Sequence, residues 1–248
     1  MRSETDWKMR ILTIMVAAVL AGIHVASADY TPGRSFDYFN KTTYKDRDWN
    51  VMFYENCDLP EYTSTEWVRE EGERFLRFTL KDGQVGGCGS DNRVRHRAPY
   101  WERVEVKQTT TLKKDHDYSL TYRVRFLKGF DHDREDFLQV HQSVSGCRVG
   151  PLVMLKFSNG YLLGATTPLL VEDILGKWVN VRFDFNPARS YDLYVDGKKI
   201  VHNKIIRRKN PCGEPHLKIG IYRPGDSAAT GDRLSVMDVD KLRLVDSK

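Results

Sequence analysis

Several common signatures are missing from this sequence, and each absence removes a class of protein. Beyond the first 28 residues no long stretch repeats apolar side chains with a helical period, which excludes a helical bundle. There is no Cys-x-x-Cys motif, so the usual structural zinc sites are excluded. Internal repeats and low-complexity linkers are also absent. With 40% hydrophobic and 29% charged residues, the chain has an ordinary globular composition, not a disordered one.

The beginning of the chain has the pattern of a signal peptide. An apolar run at Ile11–Ile23 follows basic residues and precedes the small-residue cleavage pattern Ala26–Ala28. The run is shorter than a typical membrane span. We therefore expect residues 1–28 to be removed on export, leaving residues 29–248 as one secreted or periplasmic domain without a membrane anchor.

The charge balance is mildly basic. The net charge is +5, and three basic against two acidic residues before position 29 leave +4 for the rest. Mild basicity suits an acidic ligand such as a polyuronate, and it equally suits an ordinary protein surface.

Four cysteines are present, at Cys57, Cys88, Cys147 and Cys212, each in a loop rich in glycine, proline or asparagine. Export favours disulfides, and four cysteines allow three pairings. We expect Cys57–Cys88 and Cys147–Cys212, because each of these pairs is nearest in sequence.

Short segments of alternating apolar and polar residues fill the chain after position 73, and about ten of them are long enough to form strands. Asn-Gly and Asp-Gly dipeptides between neighbouring segments predict two hairpins. The clearest segments are Arg74–Leu80, Trp101–Gln108, Tyr118–Phe126, Asp136–Gln142, Val153–Phe157, Trp178–Phe185, Tyr191–Val195, His216–Tyr222 and Leu234–Leu244. The pattern predicts an all-β sandwich or barrel formed by a single domain.

Three of these segments carry polar residues on one face. Because side chains alternate along a strand, Gln139 and His141 share a face, as do the Arg and Glu of Arg103–Glu105. Along Lys218–Tyr222 the lysine, glycine and tyrosine share a face, so the glycine would leave room between the two longer side chains. A polar face on a buried sheet requires an explanation, and convergence of the three strands on one site would supply it.

In this order, the R-x-E, Q-x-H and K-x-G-x-Y strands resemble the jelly-roll polysaccharide lyases of the heparinase I/glucuronan lyase-like group, which are related in fold to alginate lyases. The segment Trp178–Phe185 followed by the Asp-Gly hairpin resembles a further element of that group. The resemblance covers Arg74 to Arg223. It implies an all-β jelly-roll sandwich of the concanavalin A-like type.

The resemblance also implies a reaction, the β-elimination of a polysaccharide containing uronic acid, of glucuronan, alginate or heparin type. The proton at C5 is removed, the sugar carboxylate is neutralised, and the departing 4-oxygen is protonated. At the matching positions, Arg103 and Gln139 would bind the carboxylate. His141 would act as the base or neutralise the carboxylate. Tyr222 would act as the acid, or as the base if nearby cations lower its pKa. Gly220 would leave room for a sugar ring between Lys218 and Tyr222.

Further residues are expected to bind the substrate. They are Lys218, Arg223, Glu105, His96, Arg97 and Lys156. On a regular strand Arg223 would point away from Tyr222, which weakens its assignment. No cofactor is implied, although the acidic loop Asp131–Asp136 leaves a structural Ca²⁺ open, with a spacing that is not that of an EF-hand.

Two other classes of function fit a secreted β-sandwich. A glycoside hydrolase needs two carboxylates that flank the bond, and the usual E-x-D-x-E strand is missing. A non-catalytic, lectin-like module needs the same fold without the glutamine, histidine and tyrosine. We expect a polysaccharide lyase that acts as a monomer on an acidic polysaccharide and binds no nucleic acid, and we keep these two as alternatives.

Overall fold

The computed structural model describes residues 42–57, 64–94, 98–127, 129–130, 134–142, 150–206, 213–226 and 233–248. All of them fall within one structural unit, Asp37–Lys248. The predicted signal peptide and four residues of interest, His96, Arg97, Cys147 and Cys212, lie outside the described residues. No helix in the described part of the chain is long and apolar enough to cross a membrane.

The described residues form fourteen β-strands, and the alternating segments of the sequence supply most of them. The strands are β1 (Thr43–Tyr44), β2 (Phe53–Glu55), β3 (Ser64–Glu70), β4 (Glu73–Lys81), β5 (Trp101–Gln108), β6 (Tyr118–Phe126), β7 (Asp136–Gln142), β8 (Gly150–Ser158), β9 (Tyr161–Leu162), β10 (Val179–Phe185), β11 (Ser190–Val195), β12 (Lys198–Ile205), β13 (Pro215–Pro224) and β14 (Leu234–Asp246).

The strands pair into two seven-stranded antiparallel sheets. The front sheet has the order β1-β2-β5-β13-β7-β8-β9, and the back sheet has the order β12-β11-β10-β6-β14-β4-β3. Non-consecutive neighbours such as β5, β13 and β7 require long connections between strands that are far apart in sequence. The predicted all-β sandwich is confirmed.

Apolar side chains from both sheets meet in one core. Phe126 of the back sheet packs against Phe137 and Phe157 of the front sheet, with ring centroids 5.3 and 5.4 Å apart. Burying each such ring stabilises the fold by roughly 1.5–3 kcal/mol. The alternating sequence of strand β10 explains how one face enters the core. Its valines and phenylalanines are buried, and the polar residues between them are not.

Two-residue turns fix the register of three hairpins. Asn159-Gly160 and Asp196-Gly197 have positive φ at both residues, as the predicted hairpin turns require. Glu71-Gly72 has the same conformation and joins β3 to β4. Strand β3 was not predicted, because Ser64–Glu70 is largely polar and lies at the edge of its sheet.

The three strands with polar faces meet in the centre of the front sheet. Strand β13 lies between β5 and β7, and all three are largely buried on both faces. The predicted convergence of these strands is therefore confirmed. Their inner faces carry valine, leucine and isoleucine, and their outer faces carry the polar residues of interest.

A register shift in β7 changes which side chains share a face. Regular alternation predicts that Phe137 and Leu138 point to opposite sides, yet both are buried in the core. The pairing of β7 with β8 shifts between Asp136 and Leu138, so one extra residue is inserted there. The prediction was wrong at this point, and Asp136 is turned to the outer face together with Gln139.

Arg223 lies on the inner face, where it forms a buried ion cluster. It is 1% exposed and donates to Glu102, to Glu135 (Nη1 to Oε1, 2.5 Å) and to Ser235 (Nη1 to Oγ, 2.6 Å). Burial raises the pKa of the Glu102 carboxyl, and the charge of Arg223 opposes that shift. The prediction that Arg223 binds substrate is wrong, because β13 keeps regular pairing with β5 and Arg223 faces Glu102.

The disulfide Cys57–Cys88 is present, as predicted, with a Cα–Cα distance of 5.2 Å. It joins the end of β2 to the loop between β4 and β5. Asp91, in the same loop, is fully buried and accepts a hydrogen bond from the backbone N–H of Cys88 (3.1 Å).

The ion cluster predicts a stability effect. Arg223→Met should lower the free energy of unfolding by about 3–5 kcal/mol, because it leaves the buried carboxylates of Glu102 and Glu135 without their cation. Urea denaturation measures the change. Arg182→Met is the matched control: Arg182 is half-exposed and pairs with Asp184 at 3.2 Å, so its loss should cost less than about 1 kcal/mol. Equal effects of the two substitutions would contradict the structural role of Arg223.

Candidate active site

The outer face of the three central strands carries a continuous set of polar side chains, which we call the polar face. Its members are Arg103, Glu105 and Lys107 on β5, Asp136, Gln139 and His141 on β7, and His216, Lys218 and Tyr222 on β13. Cross-strand pairing places Lys218 between Lys107 and Gln139, and Tyr222 between Arg103 and Asp136. All four residues predicted to be catalytic therefore lie on one face of one sheet.

Glu105 connects the strands of the polar face. Its Oε1 accepts a hydrogen bond from Gln139 Nε2 (2.7 Å), and its Oε2 accepts from Arg103 Nη1 (3.0 Å) and Asn56 Nδ2 (3.2 Å). Glu105 is 2% exposed. This contradicts the predicted contact between Glu105 and substrate, because both carboxylate oxygens are already bonded within the protein.

Arg103 is held between two carboxylates. In addition to Glu105, it donates from Nε and Nη2 to Asp91, at 2.8 and 2.5 Å. Burial works against its charge, but Glu105 and Asp91 together raise the pKa of the guanidinium. The guanidinium carbon Cζ of Arg103 lies 4.6 Å from the centroid of the Tyr222 ring, which also stacks on Trp101. Arg103 thus supports the tyrosine, and all three of its side-chain nitrogens already donate to protein carboxylates.

Gly220 permits a close approach at the centre of the face. An added Cβ would overlap the carbonyl oxygen of Val104 and lie 2.6 Å from the Cα of Glu105, and the φ of +142° disfavours any other residue. Since β5 and β7 flank β13, the hydrogen bond between Gln139 and Glu105 crosses β13 near this glycine. The space predicted for a sugar ring is therefore partly used by that bond.

Lys218 supplies a buried cation. It is 6% exposed, and burial lowers the pKa of its ammonium group to about 8, against the opposing charge of Glu105. No hydrogen bond or ion pair joins Lys218 to another described residue. The ammonium group is therefore available to an anion that reaches the polar face.

Two imidazoles lie beyond Lys218. His141 and His216 are cross-strand partners with ring centroids 5.5 Å apart. Burial and the charge of Lys218 lower the pKa of His141 to about 2, and burial and Lys107 lower that of His216 to about 3. These lowered pKa values favour the neutral form of both rings, which suits His141 as a base. His216 was missed, although it lies two residues before Lys218 on the same strand face.

Tyr222 retains its phenolic proton. Burial raises the pKa of Tyr222 above its usual value, and Arg103 beneath the ring only partly opposes this shift. The cations near the ring therefore do not produce the lowered pKa that a tyrosine base would need in the free protein. The half-buried phenol remains a proton donor.

The other predicted substrate-binding residues have different positions. Lys156 lies on β8 opposite Asp136, at the edge of the polar face, and is partly exposed. His96 and Arg97 lie outside the described residues. Asp136 was missed, because alternation from Gln139 places it on the inner face, and only the register shift reverses it.

Among the described residues, the polar face holds no group of three metal-ligand side chains within reach of one ion. Within the described ranges, the one group of three ligand-type side chains that lie close together is Cys57, Cys88 and Asp91. The two cysteines share a disulfide and Asp91 binds Arg103, so this group does not fit a metal ion. Half of the acidic loop considered for Ca²⁺, residues 131–133, lies outside the described residues.

Comparisons with known proteins agree with this architecture. A family model described as "Polysaccharide lyase" matches residues 40–238. Among solved structures, alginate lyase A1-II′, a member of polysaccharide lyase family 7, aligns with a TM-score of 0.52 and 13% identity, covering 76% of this chain and 85% of that one. Alginate lyase AlyC3 aligns with a TM-score of 0.51 and 14% identity, covering 76% and 79%. Alginate lyase AlgAT5 from family 7 aligns with a TM-score of 0.50 and 15% identity, covering 75% and 82%.

At these identities the solved structures establish the shared jelly-roll fold. The comparison with curated proteins gives no match. The family match covers most of the chain, including all three strands of the polar face. On this evidence the chain belongs to the polysaccharide lyase family.

Proposed function

We propose that this lyase cleaves a polysaccharide containing uronic acid by β-elimination on the polar face. One observation carries the proposal: an unpaired ammonium group, a proton-bearing phenol and a neutral imidazole share one face of the central strands. Lys218, Tyr222 and His141 supply these groups. They match the three tasks of the reaction, which are to neutralise a carboxylate, to donate a proton and to accept one.

In this proposal Lys218 neutralises the sugar carboxylate. The C5 proton becomes more acidic when the adjacent carboxylate is held by a fixed cation, because negative charge builds on that group in the transition state. Lys218 is the buried cation on the polar face without a described partner, whereas Arg103 is held by Asp91 and Glu105. The Gln139 side chain, fixed through Glu105, lies beside Lys218 and can complete the carboxylate site.

Proton transfer is divided between His141 and Tyr222. The neutral imidazole of His141 accepts the C5 proton, and the C–H electron pair forms the double bond between C4 and C5. The bond between C4 and the glycosidic oxygen breaks, and the hydroxyl of Tyr222 protonates that oxygen. Burial is the main cause of the low pKa of His141, and the charge of Lys218 adds to it. An incoming carboxylate offsets the contribution of Lys218, so binding strengthens the base.

Arg103 and Glu105 act as positioning residues. Arg103 lies beneath the ring of Tyr222, and Glu105 holds the amide of Gln139. Such a fixed arrangement favours catalysis, because the donors need not reorganise when charge develops.

The related solved structures are alginate lyases, which makes alginate one candidate substrate beside glucuronan and heparin-like chains. We also propose that the protein is secreted or periplasmic and acts as a monomer. Purified protein should be mixed with each polymer while absorbance near the enoyl band is followed. A rise with one uronate polymer is the expected result. New reducing ends without that absorbance would indicate a hydrolase, and binding without cleavage a lectin-like module.

Removing the phenolic proton tests the role of Tyr222. Tyr222→Phe should lower kcat by about 10²–10⁴-fold, because the leaving oxygen loses its general acid. Folding and polymer binding should be retained. Tyr194→Phe is the matched control: Tyr194 lies on the back sheet under Arg182, so its substitution should leave kcat unchanged. Full activity of Tyr222→Phe would refute the role of the tyrosine as acid.

The pKa of Lys218 predicts a pH dependence. The ammonium form is present below about pH 8 in the free protein, so kcat/KM should fall as the pH rises through that value. Lys218→Arg keeps the charge at all these pH values and should remove this limb of the profile. Lys218→Met should lower kcat/KM at every pH. An unchanged alkaline limb in the Lys218→Arg profile would exclude Lys218 as its source.

A further inference from the structure

Asp136 reaches the polar face only because β7 contains an extra residue. On a regular strand it would share the inner face with Leu138 and lie in the core. The register shift turns it outward, where it pairs across the sheet with Tyr222 on β13 and with Lys156 on β8. The shift therefore places a carboxyl group next to the proposed proton donor.

The carboxyl group of Asp136 lacks the partners that other buried carboxyls have. Asp91 and Glu105 bind Arg103, and Asp238 binds Arg77 and Arg125. Asp136 is 2% exposed, and its Oδ1 has no hydrogen-bond partner. No ion pair or hydrogen bond joins it to any side chain in the part of the chain that the structure describes. A buried polar group without a partner is rare in proteins, and a ligand is one explanation for it.

The surroundings of Asp136 favour its neutral form. Burial raises the pKa of its carboxyl well above the usual range, and the charge of Lys156 only partly opposes this shift. The nearby carboxyls of Glu105 and Glu135 act in the same direction as burial. A protonated carboxyl both donates and accepts hydrogen bonds, as a sugar hydroxyl does, and it does not repel a polyanion.

We propose that Asp136 is a further substrate-binding residue, whose carboxyl group pairs with a hydroxyl group of the sugar held beside Tyr222. This proposal rests on the proposed function, since it assumes that a sugar occupies the polar face. It assigns to Asp136 the recognition of a neutral group, which complements the recognition of the carboxylate by Lys218. The half-buried rings of Tyr222 and Trp101, which stack at 5.1 Å, lie at the same end of the face.

Two substitutions separate a role in binding from a role in folding. Asp136→Leu removes both hydrogen-bonding functions and should lower kcat/KM about tenfold on the polymer that the wild type cleaves, with a melting temperature that is equal or higher. Asp136→Asn keeps a neutral donor and acceptor and should retain kcat/KM within about threefold. Asp238→Leu is the control for a paired buried carboxyl, and it should lower the melting temperature without changing the kcat/KM of the folded fraction.

The possible outcomes decide between the two proposals. Wild-type kcat/KM in Asp136→Leu, a parallel fall of kcat/KM and melting temperature, or an equal loss in Asp136→Asn would each overturn the role of Asp136 alone. If the wild type cleaves no uronate polymer but binds one, the proposed function fails. The three variants are then compared by affinity electrophoresis in that polymer. The proposal for Asp136 is supported if Asp136→Leu is retarded less than the wild type while Asp136→Asn and Asp238→Leu are not. A chain that neither cleaves nor binds any of them refutes both.

Discussion

Glu105 accepts hydrogen bonds from three side chains that come from distant parts of the chain: Asn56 near β2, Arg103 on β5 and Gln139 on β7. A buried carboxylate is costly unless it is paired and bonded, and here both oxygens are satisfied. The same contacts fix the guanidinium beneath Tyr222 and the amide beside Lys218. The polar face thus depends on one carboxylate that does not need to touch substrate.

The disulfide links two segments that supply partners to this network. Cys57 directly follows Asn56, which binds Glu105. Cys88 lies three residues before Asp91, the second carboxylate that binds Arg103. One covalent link therefore joins the two segments that supply the outer partners of the network. Arg103 and Gln139 engage the carboxylates of Asp91 and Glu105. Among the described residues of the face, the Lys218 ammonium group has no such partner, and neither does Oδ1 of Asp136, whose carboxyl pKa is raised by burial. An available ammonium group beside a buried carboxyl that favours its protonated form suits a sugar that bears both a carboxylate and hydroxyl groups.

Much of this could be predicted from the sequence, because strand alternation and Asn-Gly or Asp-Gly turns are local signals. The convergence of Arg103, Gln139 and Tyr222 followed from three motifs in order. The roles of the residues within the site could not be predicted in this way, because a motif does not show which partners a side chain has in the fold. Arg103 and Glu105 bind each other, and Arg223 is buried with Glu102. Asp136 could not be found by alternation, since one inserted residue reverses its face. His216 could have been found, because it shares a strand face with Lys218.

A structure of Tyr222→Phe bound to a uronate tetrasaccharide tests the central claim most directly. Our account predicts a sugar carboxylate within about 3 Å of the Lys218 ammonium nitrogen, with the glycosidic oxygen next to the substituted ring. An oligosaccharide bound on the back sheet, or a carboxylate held elsewhere with Lys218 untouched, would contradict it.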